Sequence, residues 1–177
     1  IFRSSIMKKL KKKLFIIDGY AILYRAHYAL IRNPLITSYG FHTSALFGFS
    51  NHLLKIIKDE EPDYLVCAFD SKEKTFRHKI YKDYKANRPE MPIELQEQIP
   101  HLWELLDAMN IPVLKKPGFE ADDIIGTITE STSGEEIESY IVSGDKDFMQ
   151  LINEKVFLYT PGKRNTSPII YDRNGVI

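Results

Sequence analysis

"LFIID", residues 14–18, is four apolar residues closed by an aspartate. An apolar run this short, with no polar alternation, fits a strand buried on both faces. Two further stretches have the same form, "YLVCAFD" (64–70) and "SYIVSGD" (139–145). Between them lie patterns of helical period. In "TSALFGFSNHLLKIIKD" (43–59), Leu46, Phe49, Leu53, Ile56 and Ile57 fall near helical spacing. "IELQEQIPHLWELLDAMN" (93–110) reads as a helix that Pro100 breaks or kinks. "EADDIIGTITE" (120–130) carries the stripe Ala121, Ile124, Ile125 and Ile128. "IPVL" (111–114) and "VFLYT" (156–160) read as strands, "KDFMQLIN" (146–153) as a short helix and "STSGEE" (131–136) as a polar surface turn. Strands alternating with helices imply an α/β fold, a mostly parallel central sheet flanked by helices.

The chain of 177 residues is long enough for one large α/β domain or most of one. Lys+Arg and Asp+Glu are each 24, so the net charge is zero and gives no hint of a nucleic-acid partner. The placing of the charges is what informs. The one cysteine, Cys67, stands inside an apolar run; it excludes an internal disulfide and a Cys-based zinc site, and reads as a buried small residue in a reducing cytoplasm. No apolar run approaches the roughly 18 residues that span a bilayer, so no membrane partner is expected. Residues 1–6 precede Met7, which looks like the natural start, and read as upstream sequence; the domain is expected over 7–177.

Three strands end in acid: Asp18, Asp70, and Asp145 with Asp147 two residues on. The carboxyl ends of parallel strands share one edge of a sheet, where ligands bind at the topological switch point. "GFEADD" follows a strand and opens a helix, which brings Glu120, Asp122 and Asp123 to the same edge. Asp122 and Asp123 lie off the apolar stripe and point out of the core. Two like charges about 4 Å apart cost roughly 4 kcal/mol at a near-surface dielectric. A helix N-terminus offsets only about 0.3–1 kcal/mol per carboxylate. Mg²⁺ or Mn²⁺ is the natural counter-charge. A pair of such ions about 4 Å apart can activate a water and stabilise the leaving oxygen of a phosphodiester. Taken singly, Asp18 would be read as a turn former or helix N-cap; the joint pattern is what points to metal. His27, His42, His52, His78 and His101 show no paired ligand spacing.

"KEKTFRHKIYKDYKANRPEMP" (72–92) follows the second aspartate strand and is rich in Lys and Arg, with Phe76, Tyr81 and Tyr84 interleaved. As a helix it would line Arg77, Tyr81, Lys85 and Arg88 along one face. Cations hold phosphates and aromatic rings stack on unpaired bases. A lone charge run is more simply a solvated helix; next to a carboxylate edge it reads as a phosphate clamp.

"FIIDGYAILYRAHYAL", "FDSKEKTFRHKIYKDYKANRPEMP", "GFEADDIIGTI" and "VSGDKDFMQLI" resemble, in the same order, the 5′ nuclease domains of bacterial DNA polymerase I, in the flap endonuclease family. The resemblance implies a PIN-like domain that removes 5′ nucleotides or flaps from DNA in replication and repair with divalent metal ions. It implies Asp18, Asp70, Glu120, Asp122, Asp123, Asp145 and Asp147 as metal carboxylates. It further implies a helical arch over the site carrying Arg77, Lys82 and Lys85, and places Arg25 on the scissile or a neighbouring phosphate. With Asp18 at the metal, Lys85 and Arg25 are then expected to offset transition-state charge, and Tyr84 and Arg88 to bind nucleic acid beside them. In the family a segment with two further aspartates and a helix-turn-helix-like element follows, and a polymerase can follow in the full gene product. The sequence stops at "YDRNGVI" before either aspartate, so a truncated or degenerate domain is expected. Two alternatives share these residues: a PIN-type ribonuclease, and a nucleic-acid-binding fragment that does not cut.

Overall fold

The computed structural model describes residues 11–175 apart from 72, 82, 87, 135 and 163–165. The chain opens with β1 (Lys12–Asp18), α1 (Gly19–Ala29), α2 (Ser44–Glu60) and β2 (Tyr64–Ala68). Then come α3 (Phe76–Ile80), α4 (Ile93–Gln96), α5 (Ile99–Ala108), β3 (Val113–Leu114) and α6 (Ala121–Ser131). β4 (Ile137–Val142), a 3₁₀ turn (Lys146–Leu151), β5 (Val156–Thr160) and β6 (Ile169–Tyr171) complete the described elements. The sheet order is β3-β2-β1-β4-β5-β6. Every neighbouring pair is parallel except β5 with β6. Successive strands step outward from β1 through β2 and β3, and the chain then crosses to β4 on the other side of β1. The switch point therefore lies between the carboxyl ends of β1 and β4, the position where open α/β sheets bind ligands.

Both faces of β1 are covered. Phe15 and Ile17 join Ile22, Phe49, Leu53, Leu102 and Leu106 in one core; Leu14 and Ile16 join Ile125, Ile141, Phe148 and Leu158 in the other. Strict alternation along one uniformly apolar strand gives a helix–sheet–helix sandwich. Cys67 is wholly buried, and burial pushes its thiol up to about 12, which makes it inert. Packing is tight where α1 leaves the sheet: a Cβ on Gly19 would stand 2.2 Å from the Phe69 ring. Phe69 in turn meets Trp103 edge-on, with centroids 4.6 Å apart. No helix among the described residues is long and apolar enough to cross a membrane.

Two expectations need correction. The segment 93–110 is two helices, and the break falls before Pro100, which sits in the first turn of α5, where its missing N–H costs nothing. The break serves α2: buried Gln98 accepts from the amides of Ala45 and Leu46 (3.0 and 3.1 Å) and donates to the Glu94 carbonyl (2.6 Å). It thus caps a helix whose own N-cap, Thr43, turns its hydroxyl away to the Leu35 carbonyl (3.2 Å) and makes no side-chain cap. The stretch 72–92 is not a continuous helix. Among its described residues only Phe76–Ile80 is helical; Tyr81 is extended and Lys85 has φ 59°, in the left-handed region. Arg77, Tyr84 and Lys85 are drawn down onto α6 instead, and these contacts override the local helical preference. Sequence periodicity also left α1 undetected.

Candidate active site

Each strand that leads to the switch point delivers an acid. Asp18 ends β1 and is also the N-cap of α1: Oδ1 accepts from the Ala21 amide at 3.3 Å. Its Oδ2 accepts from the Ser143 hydroxyl at 2.9 Å. Burial pushes its carboxyl up to about 6; the two hydrogen bonds oppose this, and the charges of Asp122 and Asp70 add to it. Asp70, just past β2, accepts from the Ala121 amide at 2.7 Å and so tethers the N-terminus of α6. Asp145, past β4, donates its amide to Ser143 Oγ (3.1 Å) and accepts from the Asp147 amide (2.9 Å).

The first turn of α6 supplies the rest. Glu120 is the N-cap, 4% exposed, and forms a capping box with Asp123. Partial desolvation, then the charges of Asp70, Asp145 and Glu120, hold the Asp122 carboxyl above its ordinary range.

Asp18, Asp70, Asp122 and Asp145 line one cavity of about 400 Å³, which Lys85 and Arg88 also line, with Tyr20 and Tyr24 on its wall. Lys85 Nζ is 2.8 Å from Glu120 Oε1 and 3.8 Å from Asp70 Oδ2. Tyr84 donates its hydroxyl to Glu120 Oε2 at 3.1 Å. Among the described residues, no three His, Cys, Asp or Glu side chains stand in a group that could hold a metal ion as they are placed. An ammonium already occupies the space between Glu120 and Asp70.

Other expected residues lie elsewhere. Asp123 is turned to Arg77, which grips it with two hydrogen bonds of 2.8 Å. This pairing holds the Asp123 carboxyl below its usual range and raises Arg77 further. Asp147 is exposed and does not line the cavity. Arg25 donates to the carbonyls of Pro161 (2.7 Å) and Gly162 (3.0 Å) and lines a separate cavity with Arg32 and His52. Lys82 lies outside the described residues. Ser143, Tyr20 and Tyr24 were not anticipated. Ser143 had a faint signal, a small polar residue two positions before an aspartate at a strand end; it reads equally as a turn.

The sequence profile of the family described as "5'-3' exonuclease, N-terminal resolvase-like domain" matches residues 13–177. A 5'-3' exonuclease of Aquifex aeolicus is 46% identical over 150 residues, covering 85% of this chain and 51% of that protein. DNA polymerase I of Bacillus subtilis is 44% identical over 146 residues, covering 82% of this chain and 16% of the polymerase. The chain thus spans about half the length of the first relative and a small part of the second. Among solved structures, the T5 D15 protein co-crystallised with metal ions superposes with a TM-score of 0.67 at 20% identity, over 91% of this chain and 58% of that one. The catalytic core of Rad2 in complex with a DNA substrate gives 0.55 at 18% identity, over 94% and 49%. At such identities the likeness is one of fold, the PIN-like α/β architecture. The profile match over nearly the whole chain settles the family: the chain belongs to the 5′-3′ exonuclease N-terminal, resolvase-like domains.

Proposed function

We propose that this chain is the catalytic core of a metal-dependent 5′→3′ exonuclease and 5′ flap endonuclease that hydrolyses DNA phosphodiesters in replication and repair. One observation carries the proposal: acids from three parallel strands and one helix N-terminus meet at the switch point of the sheet, in a cavity lined also by Lys85 and Arg88. The relatives' names, 5'-3' exonuclease and DNA polymerase I, point the same way, and the reading includes a polymerase as partner in the full gene product, acting in the cytoplasm.

The donors fit hard cations, being carboxylate oxygens that crowd one another enough to raise Asp18 and Asp122. Asp18, Asp70, Glu120, Asp122 and Asp145 would hold Mg²⁺ or Mn²⁺, with Asp147 beside them. Four of these acids fall into two sets, Asp18 with the Asp145 backbone through Ser143, and Asp70 with Glu120 through Lys85. Two sets suit two ions, which supply an activated water and a stabilised leaving oxygen when bound. The chain's own residues do the rest. Lys85 and Arg88 offset the charge of the phosphate in the cavity, and Tyr20 and Tyr24 offer flat apolar wall to a base. Arg77 and Tyr84 order the segment that carries Lys85. Arg25 grips a phosphate outside the cavity, beside Arg32 and His52.

Turnover on a 5′-flap DNA and on the same flap in RNA, with and without Mg²⁺, tests the proposal. Mg²⁺-dependent release of 5′ products from DNA is expected. Faster cutting of RNA would favour the ribonuclease, and tight binding with no cutting by the longer gene product would favour a binding module.

A further inference from the structure

We propose that Ser143 is a positioning residue of the metal centre, one hydroxyl that sets the relative places of Asp18 and Asp145. The inference rests on the metal-dependent reading above and adds a residue to it. Ser143 follows β4 directly and is fully buried. Its hydroxyl gives its only proton to Asp18 Oδ2 at 2.9 Å and takes the Asp145 amide at 3.1 Å. Its carbonyl accepts from the Thr160 hydroxyl at 3.1 Å, which ties the same residue to the end of β5. One atom, Oγ, therefore joins the last residue of β1 to the loop after β4, across the switch point itself.

The geometry has a specific result. Asp18 has one hydrogen bond on each oxygen, from Ala21 to Oδ1 and from Ser143 to Oδ2. A carboxylate oxygen has two lone-pair directions, so each keeps one open while the plane of the group is fixed. Asp145 is fixed through its backbone, and its own Oδ1 accepts from the Asp147 amide. Loss of the Ser143 hydroxyl would leave one Asp18 oxygen and the Asp145 amide without a partner at once. Partners that orient ligating groups in this way typically change metal affinity about 10–100-fold when removed.

The test is Mn²⁺ titration of the chain, followed by the loss of the free-ion electron paramagnetic resonance signal. Ser143→Ala is expected to weaken Mn²⁺ binding about tenfold or more. Ser143→Cys keeps a similar volume with a weak donor; it is expected to fall between, and it carries the test if the alanine variant does not fold. Ser139→Ala is the control, a buried hydroxyl on the same β4 strand, paired with Thr132 at 3.1 Å and remote from the acids. It should bind Mn²⁺ as the parent does. Parental affinity in a folded Ser143 variant, or an equal loss in Ser139→Ala, overturns the positioning role alone. A parent chain that takes up no Mn²⁺ overturns the metal centre and the positioning role with it.

Discussion

The ammonium of Lys85 lies 2.8 Å from Glu120 Oε1, and Glu120 is 4% exposed. A divalent ion that draws Glu120 and Asp70 to itself must compete with that ammonium. Lys85→Met is therefore expected to bind Mn²⁺ about fivefold more tightly than the parent, the equivalent of roughly 1 kcal/mol for a partly screened pair. It should also cut flap DNA more slowly, since the cation that faces the phosphate is gone. Titration calorimetry without DNA measures the first effect, and weaker Mn²⁺ binding by Lys85→Met would refute the competition.

Asp18 makes stability depend on pH. Its carboxyl titrates at about 6 in the folded chain, against 3.8 as the ordinary value, so the folded chain holds this proton more tightly. The stabilisation is complete below the unfolded value and lost as pH rises through the folded one. Going from pH 7.5 to 5 should add about 1 kcal/mol from this group. Asp18→Asn keeps an acceptor for Ala21 and should remove that share of the slope. Urea melts in the presence of a chelator, at the two pH values, make the comparison.

Arg77 and Asp123 form the clip that holds residues 73–81 against α6. The pair is bidentate and partly shielded, so Arg77→Ala is expected to cost about 1 kcal/mol. Because the Asp123 carboxyl is lowered by Arg77, this contribution is present above the ordinary value and fades as pH falls through the lowered one. Trypsin should cut within 73–92 several-fold faster in the variant. An unchanged digestion pattern would mean that Lys85 and Tyr84 suffice to hold the segment.

Gly19 has no room for a side chain. A Cβ there would meet Phe69 at 2.2 Å, and overpacking of a rigid ring costs about 1–3 kcal/mol. Gly19→Ala should lower the melting temperature by several degrees, and adding Phe69→Leu should restore part of the loss. Additive losses in the double variant would show that the two positions do not interact.

Much of this was legible in the sequence because parallel strands advertise themselves. "LFIID", "YLVCAFD" and "SYIVSGD" needed only their apolar runs and terminal acids to place Asp18, Asp70 and Asp145 on one edge, and the stripe of α6 placed Asp122 beside them. Illegible were the contacts made between distant residues. Nothing near Gln98 says that it caps α2 from 53 positions away. Nothing in 72–92 says that Arg77 will choose Asp123 over a helical neighbour. Arg25 looked like an active-site cation, yet its partners are two backbone carbonyls more than a hundred residues later. A helical pattern predicts which face is apolar; it carries no information on what that face's charges will meet.

Trp103 is the chain's one tryptophan. Its ring touches Phe69, the residue bonded to Asp70, and Lys115 Nζ stands 5.3 Å from its centroid. The molecule thus has a single dominant emitter, one ring removed from the backbone that carries an active-site acid. A displacement of Asp70 that carries Phe69 with it would reach that indole, which makes intrinsic fluorescence a label-free readout to try for events in the cavity.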